Sequence, residues 1–204
     1  MKKKDADYIN YLKNKYPANV CNDYMIAFIH VPKTGGNLIK KSIGTLTGDS
    51  HLSCGSLPPG LFKNLWSFAF VRNPYDRCAS AFNYLLKGGK GNKSDLFDQG
   101  KFISKYKSFE DFILNGGIDA AILRQTHFFQ QSKFIDDRID FIGKYENIKM
   151  DWFKICKLNK IYKRLLFKEE LFSTYDNLYT SEMRKKVYNI YMEDFEKFKY
   201  SSFY

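Results

Sequence analysis

Residues 24–31 read Tyr-Met-Ile-Ala-Phe-Ile-His-Val, an apolar run that Pro32-Lys33-Thr34-Gly35-Gly36 cuts off abruptly. A run this short cannot cross a bilayer, and it does not alternate as a half-exposed strand would. It predicts a central strand buried on both faces of a parallel sheet. Beyond the glycines, Leu38, Ile39, Ile43 and Leu46 recur at helical spacing. The segment therefore predicts strand, glycine-rich loop and helix in succession.

The same grammar returns downstream. Trp66-Ser67-Phe68-Ala69-Phe70-Val71-Arg72 reads as a second buried strand, followed by Asn73 as N-cap and Pro74 at the first helical position. Asp76 stands in capping-box register with Asn73. This helix runs to Leu86 and stops at Gly88-Gly89. Residues 87–101 read as a long loop, either functional or mobile. Ser108 and Asp111 open another helix, ending at Gly116-Gly117. A helix is expected over 119–131, a short strand over 138–143 and a helix over 146–158. Met183, Val187, Ile190, Tyr191, Phe195 and Phe198 mark a long amphipathic helix near the end of the chain. Residues 1–23 are a polar arm or short helix. The alternation of strands and helices predicts a three-layer α/β sandwich with a central parallel sheet. It forms one domain over 1–204, with its ligand beyond the carboxyl ends of the strands.

A chain of 204 residues with 18% aromatic side chains can build its own core. Its net charge of +11 favours anionic partners. Lysine is spread along the whole chain, and no nucleic-acid-binding signature accompanies it, so no specific nucleic-acid partner is expected. Cys21, Cys54, Cys78 and Cys156 form no CxxC pair, and with three histidines there is no evident zinc site. They read as packed free thiols. Met1-Lys2-Lys3-Lys4 could open a signal peptide, but Asp5, Asp7 and Asn10 interrupt any apolar region. A cytoplasmic, soluble protein without a membrane span is the expectation.

Two stretches carry the chemistry. In His30-Val31-Pro32-Lys33-Thr34-Gly35-Gly36, the glycines allow close approach of a phosphate, and their N–H groups with the helix start make an anion site. Lys33 adds a point charge and Thr34 a hydroxyl. The kinase pattern GxxxxGK[ST] is absent, and no carboxylate is evident for Mg²⁺. In Arg72-Asn73-Pro74-Tyr75-Asp76-Arg77-Cys78-Ala79-Ser80, Arg72 at a strand end offers a bidentate fork, and Ser80 adds a hydroxyl from the helix. Two anion sites suit a ligand phosphorylated at two places.

These residues resemble the sulfotransferase superfamily, nearest its carbohydrate branch with the heparan 2-O-sulfotransferases and their soluble microbial relatives. FIHVPKTGG is similar to that branch's 5′-phosphosulfate loop, and FAFVRNPYDRCASAF to its 3′-phosphate motif. QSKFIDDRIDFIGKYENIKMDW and YTSEMRKKVYNIYMEDFEKFKY resemble its later segments, so the likeness runs from residue 25 to the end. The chain departs from the pattern at Asn37, where Thr or Ser is usual, at Phe82 for Tyr, at Gln130-Gln131 for Pro-Gln, and at Lys199 for Gly. No counterpart of the family's membrane anchor is expected, as in its soluble members.

The resemblance implies a sulfotransferase / nucleoside-kinase-like fold with a P-loop-like phosphate-binding loop. It also implies 3′-phosphoadenosine-5′-phosphosulfate (PAPS) as co-substrate, 3′-phosphoadenosine-5′-phosphate (PAP) as product, and no metal. The acceptor would be a hydroxyl, with a glycan first. Lys33, Thr34, Gly35, Gly36, Asn37 and Leu38 would cradle the 5′ end, and Arg72 and Ser80 would hold the 3′-phosphate. Lys33 would stabilise charge on the bridging oxygen. His51, in polar surroundings between loop and second strand, is the expected base. His127 and Glu146 are the alternatives, and His30 reads as loop support. Asp76 and Arg77 read as cap and ion pair. A P-loop-like kinase or NTPase, and a relative that binds nucleotide without catalysis, remain open as other readings.

Overall fold

A computed structural model describes residues 3–48, 50–166 and 175–202. The chain divides into two compact units, one of Met1–Val71 with Lys133–Leu171, the other of Arg72–Ser132 with Phe172–Tyr204.

The first unit carries the sheet, in the order β1 (Val20–Cys21), β2 (Ile26–Ile29), β3 (Trp66–Val71), β4 (Phe141–Lys144). Strands β2, β3 and β4 are parallel, as the apolar runs predict, and β1 adds a two-residue antiparallel edge. Every residue of β2 is buried. By pleat alternation Ile26 and Phe28 share a face with Phe68 and Phe70. That face packs on Leu38, Ile39 and Ile43 of helix α2 (Gly36–Ile43) and on Ile148, Trp152 and Ile155 of helix α8 (Ile148–Leu158). Phe28 and Phe68 stack at 5.1 Å. Burying each such ring contributes about 1.5–3 kcal/mol. Helix α1 (Lys3–Lys15) packs on β1 and on helix α3 (Pro59–Asn64), and α3 on β3.

Strand β4 begins at Phe141, later than the expected 138, because the Asp140 side chain stands in for the ladder. Its Oδ2 accepts from Ser67 N at 2.7 Å and from Ser67 Oγ at 2.9 Å. Helix α8 likewise starts two residues late, after a 3₁₀ turn over Tyr145–Asn147.

The second unit is helical: α4 (Pro74–Leu86), α5 (Lys93–Asp98), α6 (Phe109–Leu114), α7 (Gly117–Arg124) and α9 (Ser181–Lys197). Helices α4 and α6 both pack on α9 around Phe112, Phe128, Ile103 and Tyr191. Asn73 caps α4 by accepting from Tyr75 N at 3.0 Å. Asp76 makes no capping box there; it accepts from Tyr175 N at 2.7 Å.

Two expectations change in this unit. Residues 87–101 are not a structureless loop. They hold α5 and a π-helical turn, Gln99–Ile103, built around Asp95. The Asp95 carboxylate is buried and takes hydrogen bonds from Tyr84 Oη (2.7 Å), Lys90 N (2.8 Å) and Asn92 Nδ2 (3.0 Å). The helix expected over 119–131 ends at Arg124. Gln125 Oε1 accepts from His127 N and starts a separate 3₁₀ turn, Thr126–Phe128. A second 3₁₀ turn, Gln131–Lys133, follows.

All four cysteines are free thiols. Burial pushes Cys78 up to about 12 and Cys54 and Cys156 to about 11, so these thiols stay protonated at neutral pH. Among the described residues no helix is long and apolar enough to cross a membrane. No group of three or more His, Cys, Asp or Glu that could hold a metal lies among them either.

Candidate active site

In the first unit the loop leaves β2 through His30 and Val31, both buried. Lys33 has φ 68°, left-handed for a residue with a Cβ, and Gly35 has φ 84°. Holding Lys33 there costs about 1–2 kcal/mol, a price borne where a backbone must turn sharply. Left-handed positions thus flank Thr34, a backbone pattern that can turn successive N–H groups to one side. Gly35 then serves as the N-cap of α2. The Lys33 side chain is half-buried and Asn37 is exposed on the first turn of α2.

Two members of the expected cradle have other work. Thr34 is fully buried, and its hydroxyl donates to Val31 O at 2.9 Å, closing the loop on itself. Leu38 packs in the core, and its N–H is bonded to Gly35 O at 2.9 Å.

Gly36 is needed for space. A Cβ there would lie 1.9 Å from the His30 ring. That ring stacks on Phe28 (5.5 Å) and meets the His51 ring at 4.3 Å. His51 Nδ1 lies 3.0 Å from His30 O. A carbonyl only accepts, so Nδ1 carries a proton, and in the neutral ring Nε2 is the basic nitrogen. His30 thus touches both the loop glycine and His51.

In the second unit Arg72, 5% exposed, is held by its main chain. Its N–H donates to Gln131 Oε1 and its carbonyl accepts from Gln131 Nε2, both at 2.9 Å. Its guanidinium lies 5.8 Å from the Tyr175 ring. Ser80 is half-buried on α4. Arg77, fully buried, donates to the carbonyls of His127 and Phe129 and lies over the Tyr191 ring.

The alternative bases sit elsewhere. His127, in the second unit, has Nδ1 3.0 Å from Gln125 Nε2 and its ring against Tyr84. Glu146, in the first unit, is exposed on the turn before α8. The structure therefore joins His51 to the loop within one unit, and ties His127 into the Asp95 network. Gln131 stands beside Arg72 and Asp194 beside Gln131; both fall in segments that resemble the family, but neither residue's role could be read from its sequence neighbours.

The chain matches the sulfotransferase family over residues 16–201. It belongs to that family. The match runs through both units of this sulfotransferase and through each of the segments quoted above. No curated protein and no solved structure matches it.

Proposed function

We propose that this sulfotransferase moves the sulfuryl group of PAPS to a hydroxyl of a carbohydrate. The observation that carries the reading is the loop after β2. It is a Lys-Thr-Gly-Gly turn, similar in sequence to the sulfotransferase phosphosulfate loop, in which Lys33 is held left-handed, and His51 is anchored to the strand end that feeds it.

The residues then divide the work. The acceptor oxygen attacks sulfur in line, the bond from sulfur to the 5′-phosphate oxygen breaks, and its electron pair leaves on PAP. Lys33 meets the negative charge growing on that bridging oxygen. His51 Nε2 takes the proton of the acceptor hydroxyl. The N–H groups of Thr34, Gly35, Gly36 and Asn37 hold the 5′-phosphate at the start of α2. Arg72, with Ser80, takes the 3′-phosphate and so selects PAPS over nucleotides lacking it. The glycan acceptor rests on the resemblance to the carbohydrate branch and on the net charge of +11, which suits an acidic polysaccharide.

Transfer from radiolabelled PAPS to heparan- and chondroitin-type polysaccharides, desulfated beforehand, tests this. Label on a polysaccharide, lost in Lys33→Ala, is the expected result. Label only on a phenol or small alcohol would overturn the glycan acceptor, and no transfer to any hydroxyl would overturn the activity.

A further inference from the structure

Two 3₁₀ turns, Thr126–Phe128 and Gln131–Lys133, follow one another here, and side chains of two helices hold their backbone. Arg77 of α4 donates to the carbonyls of His127 and Phe129. Tyr191 of α9 donates to Phe128 O at 2.6 Å. Asp194, also of α9 and fully buried, accepts from Gln131 N and Ser132 N, each at 2.8 Å. Helix α9 breaks its regular geometry at Tyr191 (φ −108°, ψ 19°), between the turns that carry Met183 and Asp194. The product of this scaffold is one fully buried amide, Gln131, set against Arg72.

The Gln131 side chain copies a neighbouring strand. Its Oε1 and Nε2 pair with the N–H and C=O of Arg72, the double bond that a backbone partner would make. Arg72 is the first residue past β3, where the ladder to β4 has ended at Val71. Removing the Gln131 side chain would take away both of these bonds from the buried main chain of Arg72.

We propose that Gln131, oriented by Asp194, is a positioning residue that aims Arg72 and thereby sets the preference for a 3′-phosphorylated nucleotide. This rests on the reading of Arg72 as the holder of the 3′-phosphate. Neither Gln131 nor Asp194 touches the ligand in this scheme. Their effect reaches it through the main chain of Arg72, so it falls on selectivity and not on overall affinity.

The test is calorimetric binding of PAP and of adenosine 5′-monophosphate (AMP) to wild type, Arg72→Ala, Gln131→Met and Asp194→Asn. Gln131→Met keeps the volume and removes both bonds to Arg72. The expected result is a PAP-to-AMP affinity ratio reduced about tenfold in Gln131→Met, the scale of losing two buried hydrogen bonds. Asp194→Asn should reduce it less, and AMP binding should barely change. A ratio kept at the wild-type value in both variants, with Arg72→Ala losing it, overturns the positioning role while leaving the Arg72 reading intact. No PAP preference in wild type, or none lost in Arg72→Ala, overturns the Arg72 reading itself and the inference with it. Should the variants fail to fold, amide exchange on the unmodified protein decides. Slower exchange at Gln131 and Ser132 with PAP than with AMP supports the coupling, and equal exchange contradicts it.

Discussion

The loop of the first unit and the Arg72 segment of the second reach fixed geometries by opposite means. Residues 30–37 are shaped by their own backbone: a left-handed Lys33, two glycines, and a Thr34 hydroxyl that bonds three residues back. Arg72 is shaped from afar, by Gln131 at a separation of 59 residues and, through it, by Asp194, a further 63 away. Local conformation is written in adjacent residue types, whereas a long-range clamp is written in no neighbourhood at all. The functional difference follows the same line. The first unit holds the groups proposed for chemistry, Lys33 and His51; the second holds those proposed for recognition, Arg72 and Ser80.

Kinetics can break that division. His51→Asn should lower kcat by about 10²–10⁴-fold with little change in PAP affinity, since removal of a general base spares ground-state binding. Lys33→Ala should lower kcat by about 10²–10³-fold, the scale of a lost donor at a developing anion. Equal losses in kcat and in PAP affinity for either variant would erase the contrast. Arg72→Ala should weaken PAP by roughly thirtyfold or more while leaving AMP almost unchanged. Isothermal calorimetry beside steady-state rates reads all three.

The smallest expected effect concerns stability in the second unit. Burial alone would raise the Asp95 carboxyl. The hydrogen bonds from Lys90 N and Tyr84, with the charge of His127, outweigh it and hold the group below its ordinary value. A depressed folded value stabilises the protein above the unfolded value, about 4, and that contribution is lost as pH falls through the folded value. Asp95→Asn should therefore lower the melting midpoint by several degrees at pH 7, and the gap from wild type should close below pH 4. A gap independent of pH would show that the carboxylate charge is not what organises residues 87–103.

The central strands, the loop and α4 were legible because burial on both faces, a glycine pair and an N-cap each leave a short, local mark. Strand β4 was placed three residues early because the side chain of Asp140 copies a ladder bond, which no periodicity shows. The helix expected over 119–131 failed for a related reason. Its apolar spacing is genuine, but Gln125 turns the backbone out of the helix and Arg77, Tyr191 and Asp194 supply the hydrogen bonds it forgoes. The segment 87–101 was readable in part. Asn92 with Asp95 three residues later is an N-cap signal, masked by the glycines and lysines around it. For the site, the residue types of the loop and of Arg72 could be named from sequence. That Thr34 spends its hydroxyl inside the loop, and that His30 joins Gly36 to His51, required coordinates.

The most direct test is the melting midpoint of wild type and Arg72→Ala with PAP, with AMP and with ATP plus Mg²⁺. A ligand that binds the folded state alone raises the midpoint by mass action. The account predicts a rise with PAP in the absence of metal, a smaller one with AMP, and loss of the PAP advantage in Arg72→Ala. No rise with PAP, or a larger one with ATP and Mg²⁺, would contradict it.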